Sequence, residues 1–346
     1  MSGTSLDGVD IACCTFSNNK KWKFTIDKAE TLAYPANWLK KLKEAHTLPA
    51  ERLAALDVSY GKFLAERSND FIKRNKIRNV DFISSHGHTI FHQPENGFSH
   101  QIGNGNVIHA GTGLPVIYDF RSLDIAHGGQ GAPLVPIGDK FLFNDYDVCL
   151  NLGGIANLSL EKKKKRIAFD VCYVNMGLNY LASKAGKKYD HNGTLASSGE
   201  LNKKIEAELD RAYLKVRSKR PSLAREFFET NIQPILDRED ISLQDILRTF
   251  TESSAKEIAE AILDLRKKAT VLCTGGGAFN SFFMYRLIER CGNEATFIIP
   301  DDEVVNFKEA LVFAFLGVLR VRGEVNCLKS VTGASKDSSG GVSVGF

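Results

Sequence analysis

The chain has 346 residues, enough for two domains of ordinary size or one large α/β unit. Hydrophobic residues make up 43% and charged residues 25%, which excludes a disordered chain and a disulfide-rich scaffold. A net charge of +4 is too small to indicate a nucleic-acid or membrane partner, and the longest apolar stretch is too short to cross a bilayer. Seven cysteines without a Cys-x-x-Cys spacing predict a reducing, cytoplasmic location.

The opening segment Gly3-Thr4-Ser5-Leu6-Asp7-Gly8-Val9-Asp10 precedes an apolar run that ends at Phe16. Its glycines let backbone N–H groups approach a phosphate, its hydroxyls can donate hydrogen bonds, and its carboxylates suit Mg²⁺. The same composition is typical of a polar β-turn, so both interpretations stay open for this segment alone. The segment is not a Walker A loop, because the pattern G-x-x-x-x-G-K-[ST] does not occur in the sequence.

Helices are predicted over residues 39–44 and 52–73, and a histidine-rich segment follows. The pair His86-x-His88 could chelate a metal along a strand, but the sequence offers no convincing third and fourth ligand. Polar loop histidines are therefore the favoured interpretation.

An Asp–Arg pair follows the apolar run 114–118, where Asp119-Phe120-Arg121 lies at the carboxyl end of a predicted strand. The segment Gly128-Gly129-Gln130-Gly131-Ala132-Pro133 comes next. Ligands of α/β proteins gather beyond the carboxyl ends of strands, so the pair is a candidate binding site. A structural ion pair at a domain hinge is the alternative.

A hairpin is predicted from the strand 148–152, which breaks at Gly153-Gly154, to a return strand over 167–169. The basic run 162–166 is interpreted as its solvated turn. Asp170 is predicted to end the return strand, and Asn175 follows five residues later.

Later elements alternate helix, strand and helix. Thr249-x-x-Glu252 resembles a capping box at the start of a helix that continues to Leu265 with a core-facing apolar stripe. The strand 269–273 leads into Gly275-Gly276-Gly277, which is either a tight connection or a surface for a nucleotide. A buried helix is predicted over 310–320. This alternation predicts the α/β class.

Together these segments resemble the anhydro-N-acetylmuramic acid kinase family, a branch of the superfamily that holds sugar kinases, actin and the heat-shock chaperone ATPases. The resemblance runs in order along nearly the whole chain. Its blocks are residues 1–10, 85–89, 119–122, 128–136, 151–158, 274–280, 309–310 and 330–334.

The resemblance implies two actin-like, ribonuclease H-like α/β lobes with a nucleotide cleft between them. Residues 1–118 with 310–346 would form one lobe, and residues 119–309 the other. The implied activity is an ATP- and Mg²⁺-dependent phosphotransfer in cell-wall (peptidoglycan) recycling. It opens 1,6-anhydro-N-acetylmuramic acid with water and phosphorylates O6, giving N-acetylmuramate 6-phosphate and ADP.

The resemblance also assigns roles to residues of this sequence. Asp170 and Glu309 would be catalytic, with Asp170 as the base for water. Asp7 and Asp10 would hold Mg²⁺, directly or through water. The implied ATP-binding residues are Gly3, Thr4, Ser5, Leu6, Asp7, Gly8, Val9, Asp10, Gly153, Gly154, Gly275, Gly276, Gly277 and Asn280. The implied substrate-binding residues are His86, Asp119, Arg121, Gln130 and Asn175. The only partner implied is a small sugar, and a homodimer is compatible with the resemblance.

The sequence departs from the family at two places. The family pattern Asp-Thr-Gly-Pro-Gly-Asn is replaced by Asp170-Val171-Cys172-Tyr173-Val174-Asn175. The family's opening turn follows a short apolar strand, whereas this sequence begins at the turn. Two alternatives therefore stay open: a kinase of the same fold acting on another sugar, and a non-catalytic nucleotide-binding relative.

Overall fold

A computed structural model describes residues 1–3, 6 and 8–346 and separates them into two units. The first unit comprises Met1–Leu142 with Phe307–Phe346, and the second comprises Phe143–Asn306. The sequence placed these boundaries at residues 118/119 and 309/310. The segment 119–142 goes with the first unit because its contacts lie there, among them a buried ion pair of 2.7 Å from Lys308 Nζ to Asp139 Oδ1.

Strands and helices alternate along the described chain. The strands are β1 (Val9–Asn19), β2 (Lys21–Leu32), β3 (Ile83–Ser84), β4 (His88–Gln93), β5 (Phe98–Ile102), β6 (Val116–Tyr118), β7 (Val148–Leu152), β8 (Ile155–Lys162), β9 (Lys165–Tyr173), β10 (Ala269–Thr274), β11 (Ala295–Ile298) and β12 (Val342–Val344). The α-helices are α1 (Ala36–Glu44), α2 (Ala50–Arg74), α3 (Gly105–Thr112), α4 (Ser122–Ala126), α5 (Pro136–Phe141), α6 (Asn175–Lys184), α7 (Thr194–Ser197), α8 (Lys203–Lys219), α9 (Arg225–Phe227), α10 (Gln233–Leu236), α11 (Leu243–Leu265), α12 (Ser281–Cys291), α13 (Asp302–Val321) and α14 (Lys329–Thr332). The predicted α/β class is confirmed.

The strands of the first unit form separate sheets. β1 and β2 are an antiparallel hairpin, β12, β6 and β3 form a second sheet, and β4 pairs with β5. A cavity of about 670 Å³ is lined by residues 9–16 of β1 on one side and by residues 79–85 on the other. The cavity thus lies between the β1–β2 hairpin and the sheet that contains β3.

The second unit is built on one mixed sheet in the order β11-β10-β7-β8-β9. β10 runs parallel to both β11 and β7, whereas β8 runs antiparallel to its two neighbours, β7 and β9. The predicted strand after residue 147 and the return strand over 167–169 are both present, but β8 lies between them, so the segment is a three-stranded meander instead of one hairpin. Because β7 and β10 are parallel, the glycine turns that follow them lie at the same edge of the sheet.

The basic run 162–166 divides into two parts. Lys163 and Lys164 form the exposed β8–β9 turn with positive φ angles, as predicted for a solvated turn. Arg166 is different: it is only 5% exposed, and its Nε donates to Ser159 Oγ at 2.8 Å. The interpretation of all five cations as solvated was therefore wrong for Arg166, because strand alternation turns this side chain inward.

The helix predicted from a capping box at Thr249 begins earlier. α11 starts at Leu243, and Ser242 Oγ caps it by accepting from the Asp245 amide at 3.1 Å. Thr249 and Glu252 lie inside the helix and are buried. Their spacing matches the capping-box pattern of a helix N-terminus, which explains the error. Within the described residues, no helix is long and apolar enough to span a membrane.

The buried position of Arg166 predicts a stability difference inside one basic run. We expect Arg166→Ala to lower the free energy of unfolding by about 1–3 kcal/mol, because Ser159 loses a buried partner. Lys163→Ala is the matched control and should change it by less than about 0.5 kcal/mol. Urea unfolding followed by circular dichroism would measure both, and equal values for the two variants would contradict the burial argument.

Candidate functional site

Two glycine turns meet at the carboxyl ends of β7 and β10. Gly153 and Gly154 follow β7, residues 275–277 follow β10, and the parallel register pairs Asn151 with Thr274. Gly275 has φ +83°, and a Cβ there would lie 2.7 Å from Asn151 Oδ1. A Cβ on Gly277 would lie 2.8 Å from Leu152 Cβ. These two glycines are therefore required by the close packing of the turns.

Gly154 and Gly276 differ from these because the fold leaves room at both positions. Both are exposed, and the nearest atoms to an added Cβ are 3.8 Å away, on Met176 and on Asn175 Nδ2 respectively. Asn175 lies at the start of α6, and its Nδ2 donates to Leu152 O at 3.0 Å. The two turns and Asn175 thus form one surface of bare backbone in the second unit, accessible to a ligand.

Asn280 serves the helix that follows the third turn. Its Oδ1 accepts from the Phe283 amide at 3.0 Å and caps α12. The N-terminus of a helix carries partial positive charge, so α12 adds favourable electrostatics for an anion next to the turn. A direct contact of Asn280 with a nucleotide stays a prediction.

The sequence predicted that Asp170 ends its strand, which was wrong: Asp170 lies within β9. A bulge between Ala156 and Asn157 brings Asp170 opposite Asn157, and the strand continues to Tyr173. Asp170 Oδ2 accepts from the Leu223 amide at 2.9 Å. Burial raises the pKa of the Asp170 carboxyl, and the Leu223 hydrogen bond opposes the rise.

The residues that depart from the family pattern are buried. Cys172, Tyr173 and Val174 are all 0% exposed. The Tyr173 carbonyl accepts from Ser254 Oγ at 3.0 Å, and the Tyr173 amide donates to Tyr213 Oη at 3.2 Å. Strand and core therefore fill the place where the family pattern has a glycine–proline loop.

Hydrogen bonds join Met1 and Asp10, the first and last residues of the segment that contains the opening turn. The backbones of Met1 and Asp10 exchange two hydrogen bonds of 2.8 Å, and Thr31 Oγ1 donates to Asp10 Oδ1 at 2.6 Å. Leu6 has φ +59°, and Val9 is buried within β1, so Val9 can meet a ligand only through its backbone. Thr4, Ser5 and Asp7, which the sequence assigned to ATP and Mg²⁺, lie outside the described residues.

A buried chain of hydroxyl groups fixes the start of this turn. Ser2 Oγ lies 2.6 Å from Tyr34 Oη and 2.8 Å from His88 Nδ1, and the Tyr34 and Tyr60 hydroxyls are 2.5 Å apart. Burial lowers the pKa of His88 to about 4, so its ring is neutral at pH 7. His88 thereby supports the turn.

His86 holds Arg121 in place. Arg121 Nη2 lies 2.8 Å from His86 Nε2, and Arg121 Nη1 donates to Gly131 O at 2.7 Å. Burial, followed by the Arg121 charge, lowers the pKa of His86 well below its ordinary value. Among the described residues, no group of three or more His, Cys, Asp or Glu side chains could hold a metal ion. The sequence favoured polar loop histidines: His86 does lie in a loop, whereas His88 is the first residue of β4, and both side chains are buried.

Glu309 and Arg121 influence each other electrostatically. Burial raises the pKa of Glu309, Arg121 lowers it, and Asp10 raises it. Solvent nevertheless reaches the Glu309 side chain. Glu309, Arg121 and Asp10 therefore form a charged group in the first unit that a polar ligand can approach.

The remaining predicted residues of this unit have structural contacts. Asp119 has φ +53°, and its Oδ1 accepts from Ser122 Oγ at 2.6 Å, whereas Arg121 binds His86 and Gly131. The Asp–Arg pair therefore does not act as an ion pair. Gln130 is exposed, and its amide donates to Thr332 O at 2.8 Å.

Sequence reasoning missed Asp124. This carboxylate is 0% exposed; its Oδ2 accepts from the Gly131 amide at 2.8 Å and its Oδ1 from Thr332 Oγ1 at 2.8 Å. It fixes the glycine-rich segment that supplies the Gly131 carbonyl to Arg121. The only signal was its place between two blocks of the family pattern.

These features define an α/β protein with an exposed surface of glycine turns at the carboxyl edge of a sheet. The chain belongs to the anhydro-N-acetylmuramic acid kinase family, whose model matches residues 1–344. Family membership makes it a kinase, a phosphotransferase that uses a nucleotide. The predicted resemblance and enzyme class are confirmed.

Relatives named anhydro-N-acetylmuramic acid kinase match nearly the whole chain. One from Sulfurimonas denitrificans is 32% identical, covering 98% of this chain and 96% of its own length. One from Saccharophagus degradans is 31% identical, with 98% and 95% covered. One from Francisella tularensis subsp. novicida is 33% identical, with 96% and 94% covered.

The room at Gly276 predicts a ligand-specific defect. We expect Gly276→Val to leave the thermal midpoint within about 2 °C and to weaken nucleotide binding at least tenfold, because the valine would occupy the ligand surface. Gly275→Val is the contrasting variant: it should lower the midpoint strongly, since the left-handed φ and the Asn151 contact leave no room. Fluorescent nucleotide titration and scanning calorimetry would measure both. Unchanged affinity in folded Gly276→Val would remove this turn from the site.

Proposed function

We propose that the protein uses ATP to convert 1,6-anhydro-N-acetylmuramic acid into N-acetylmuramate 6-phosphate and ADP. The substrate follows from the names of the relatives, and the activity would belong to peptidoglycan recycling. The observation that supports nucleotide binding is the surface around Gly154 and Gly276. The fold leaves room for a side chain at both positions and does not itself require glycine there. The proposed location is the cytoplasm, on the cysteine pattern, and a homodimer stays a prediction.

The glycine turns are proposed to bind the nucleotide. Gly153 and Gly154 would approach the phosphates, with their exposed backbone as hydrogen-bond donors. Residues 275–277 and Asn280 would face the adenosine, where missing side chains leave space for a ring. The opening turn, residues 3–10, is also proposed to contact phosphate.

Mg²⁺ is proposed to be held by Asp10 and Asp7, directly or through water. Carboxylate oxygens are the protein ligands that this ion prefers, and Asp10 is oriented by the Thr31 hydroxyl. When bound, the ion would neutralise charge on the transferred phosphoryl group. Asp10 would hold the ion, and Thr31 would keep the carboxylate aligned.

Asp170 is the proposed base for the attacking water. Burial raises the pKa of Asp170, which makes its carboxylate a stronger proton acceptor than an ordinary aspartate. The Leu223 amide holds Oδ2 and fixes the plane of the carboxylate. Asp170 would therefore meet the two requirements of a general base, basicity and orientation.

The reaction balances with these groups. Asp170 takes a proton from water, and the water oxygen bonds to the anomeric carbon while the bond from that carbon to O6 breaks. The released O6 attacks the γ-phosphorus in line, and the bond from the γ-phosphorus to the bridging oxygen breaks, releasing ADP. Backbone N–H groups of the glycine turns would stabilise the charge that develops on phosphate oxygens.

Arg121 and Glu309 are the proposed sugar-binding groups of the first unit. N-acetylmuramic acid carries a lactyl carboxylate, and a guanidinium matches a carboxylate in charge and shape. His86 and the Gly131 carbonyl fix that guanidinium. Glu309 would accept hydrogen bonds from sugar hydroxyls or from water. Asp119, Gln130 and Asn175 are further proposed contacts.

The deciding assay measures ADP release with three sugars: 1,6-anhydro-N-acetylmuramic acid, N-acetylmuramic acid and N-acetylglucosamine. We expect turnover with the anhydro sugar and formation of a 6-phosphate. Preferred turnover of an open sugar would support a kinase of another sugar. Nucleotide binding without ADP release from any muramic sugar would support a non-catalytic relative.

Asp170→Asn tests the base. The variant keeps an oxygen for the Leu223 amide but cannot take up a proton, so turnover should fall about 10²–10⁴-fold, which is roughly 3–5.5 kcal/mol of barrier. Nucleotide affinity should stay within about twofold. The base acts in its ionised form, so wild-type activity should decline as pH falls through the raised pKa of Asp170, and the variant should lose this acid limb.

Asp147→Asn is the matched control for this substitution. Asp147 also accepts a backbone hydrogen bond, from the Thr270 amide at 2.9 Å, but lies at the opposite end of β7 from the glycine turn. Its substitution should leave turnover within about threefold of wild type. Turnover of Asp170→Asn in the same range would reject Asp170 as the base.

A further inference from the structure

Tyr173 stands where the family pattern has a proline–glycine loop, and it is anchored in the second unit. It is the last residue of β9 and is 0% exposed. Its ring stacks on Phe227 with centroids 6.3 Å apart and meets the edge of Phe228 at 5.2 Å. Such packing leaves the ring one position, so the direction of its hydroxyl is set.

The Tyr173 hydroxyl binds the backbone beside the partner of Asp170. It donates to Ala224 O at 2.6 Å, and the preceding residue, Leu223, donates its amide to Asp170 Oδ2 at 2.9 Å. Residues 221–224 have neither helical nor strand structure. The Ala224 carbonyl also accepts from the Phe228 amide at 3.4 Å, a longer hydrogen bond than the one from Tyr173. The Tyr173 hydroxyl and the Asp170 carboxylate hold it from the same strand.

We propose that Tyr173 is a positioning residue for Asp170: by binding the Ala224 carbonyl, its hydroxyl keeps the Leu223 amide on the Asp170 carboxylate. The proposal rests on the proposed role of Asp170 as the base. It also explains how this chain holds the aspartate without the loop of the family pattern. A strand end with an anchored tyrosine stands in place of the loop in which proline fixes one φ angle.

The consequence for Asp170 has a definite sign. A backbone amide stabilises the ionised carboxylate and therefore lowers its pKa. If the segment loosens, the hydrogen bond weakens, the pKa of Asp170 rises, and the carboxylate rotates more freely. The first effect shifts the acid limb of the rate profile to higher pH, and the second lowers turnover. A purely structural tyrosine would change stability without moving the acid limb.

The test compares Tyr173→Phe with wild type. The phenylalanine keeps the stacking and removes only the hydroxyl, so the variant should fold. We expect turnover to fall about three- to tenfold, KM for ATP to stay within about twofold, and the acid limb to move upward by roughly half to one pH unit. Hydrogen exchange of the peptide covering residues 222–226, measured without substrate, should accelerate at least threefold.

A matched control and a rescue make the outcome specific. Tyr180→Phe is the same change: its hydroxyl binds Asp237 Oδ1 at 2.5 Å and its ring also packs on Phe228, but it does not touch the segment beside Leu223. It should leave the acid limb and the exchange of 222–226 unchanged. Tyr173→p-aminophenylalanine retains a donor and should restore both.

The outcomes separate this proposal from the proposed function. If Asp170→Asn loses turnover while Tyr173→Phe changes neither the acid limb nor the exchange, the positioning role is overturned and the base assignment survives. If Asp170→Asn retains turnover, the base assignment fails. Exchange at 222–226 then still decides whether Tyr173 holds this segment. An equal effect of Tyr180→Phe would overturn the proposal as a general effect of losing a hydrogen-bonded tyrosine hydroxyl.

Discussion

The parallel pairing of β7 with β10 is the constraint on which the second unit's site depends. Parallel neighbours end at the same edge, so two turns separated by more than a hundred residues in sequence become adjacent. The Asn175 side chain adds a third segment through its hydrogen bond to the Leu152 carbonyl. A surface of bare backbone then arises from strand direction and one amide, without any charged side chain.

Glycine serves two different purposes within these turns, and only the structure separates them. Gly275 and Gly277 are explained by φ and by close neighbours, so any protein that makes this turn would need them. Gly154 and Gly276 lie outside the left-handed φ region and have free space, so the fold itself does not require glycine there. A sequence pattern counts all four as equal, whereas the contacts separate the two that the packing requires from the two that we propose to meet a ligand.

The sequence predicted the α/β class, the strand over 148–152 and the approximate positions of the long helices, because apolar periodicity and glycine turns are local signals. The sequence predictions were wrong where a polar residue is buried in the folded protein. Arg166 belongs to a basic run yet faces inward, and Thr249 with Glu252 imitates a helix start inside α11. Asp124 and Leu223 were missed because their importance comes from partners far along the chain.

The altered segment after Asp170 illustrates how one function can tolerate different local sequences. In a loop of glycine and proline, the proline ring fixes one φ angle, whereas glycine permits conformations that other residues rarely adopt. Here the strand runs on for three residues beyond Asp170, and rigidity comes from a buried aromatic ring and one short hydrogen bond to the Ala224 carbonyl. The two solutions place the constraint on opposite sides of the carboxylate: the loop restrains the chain that follows it, whereas Tyr173 restrains the segment that donates to it. Because Asp170 accepts from the Leu223 amide without that loop, the role that we propose for it does not depend on the loop of the family pattern.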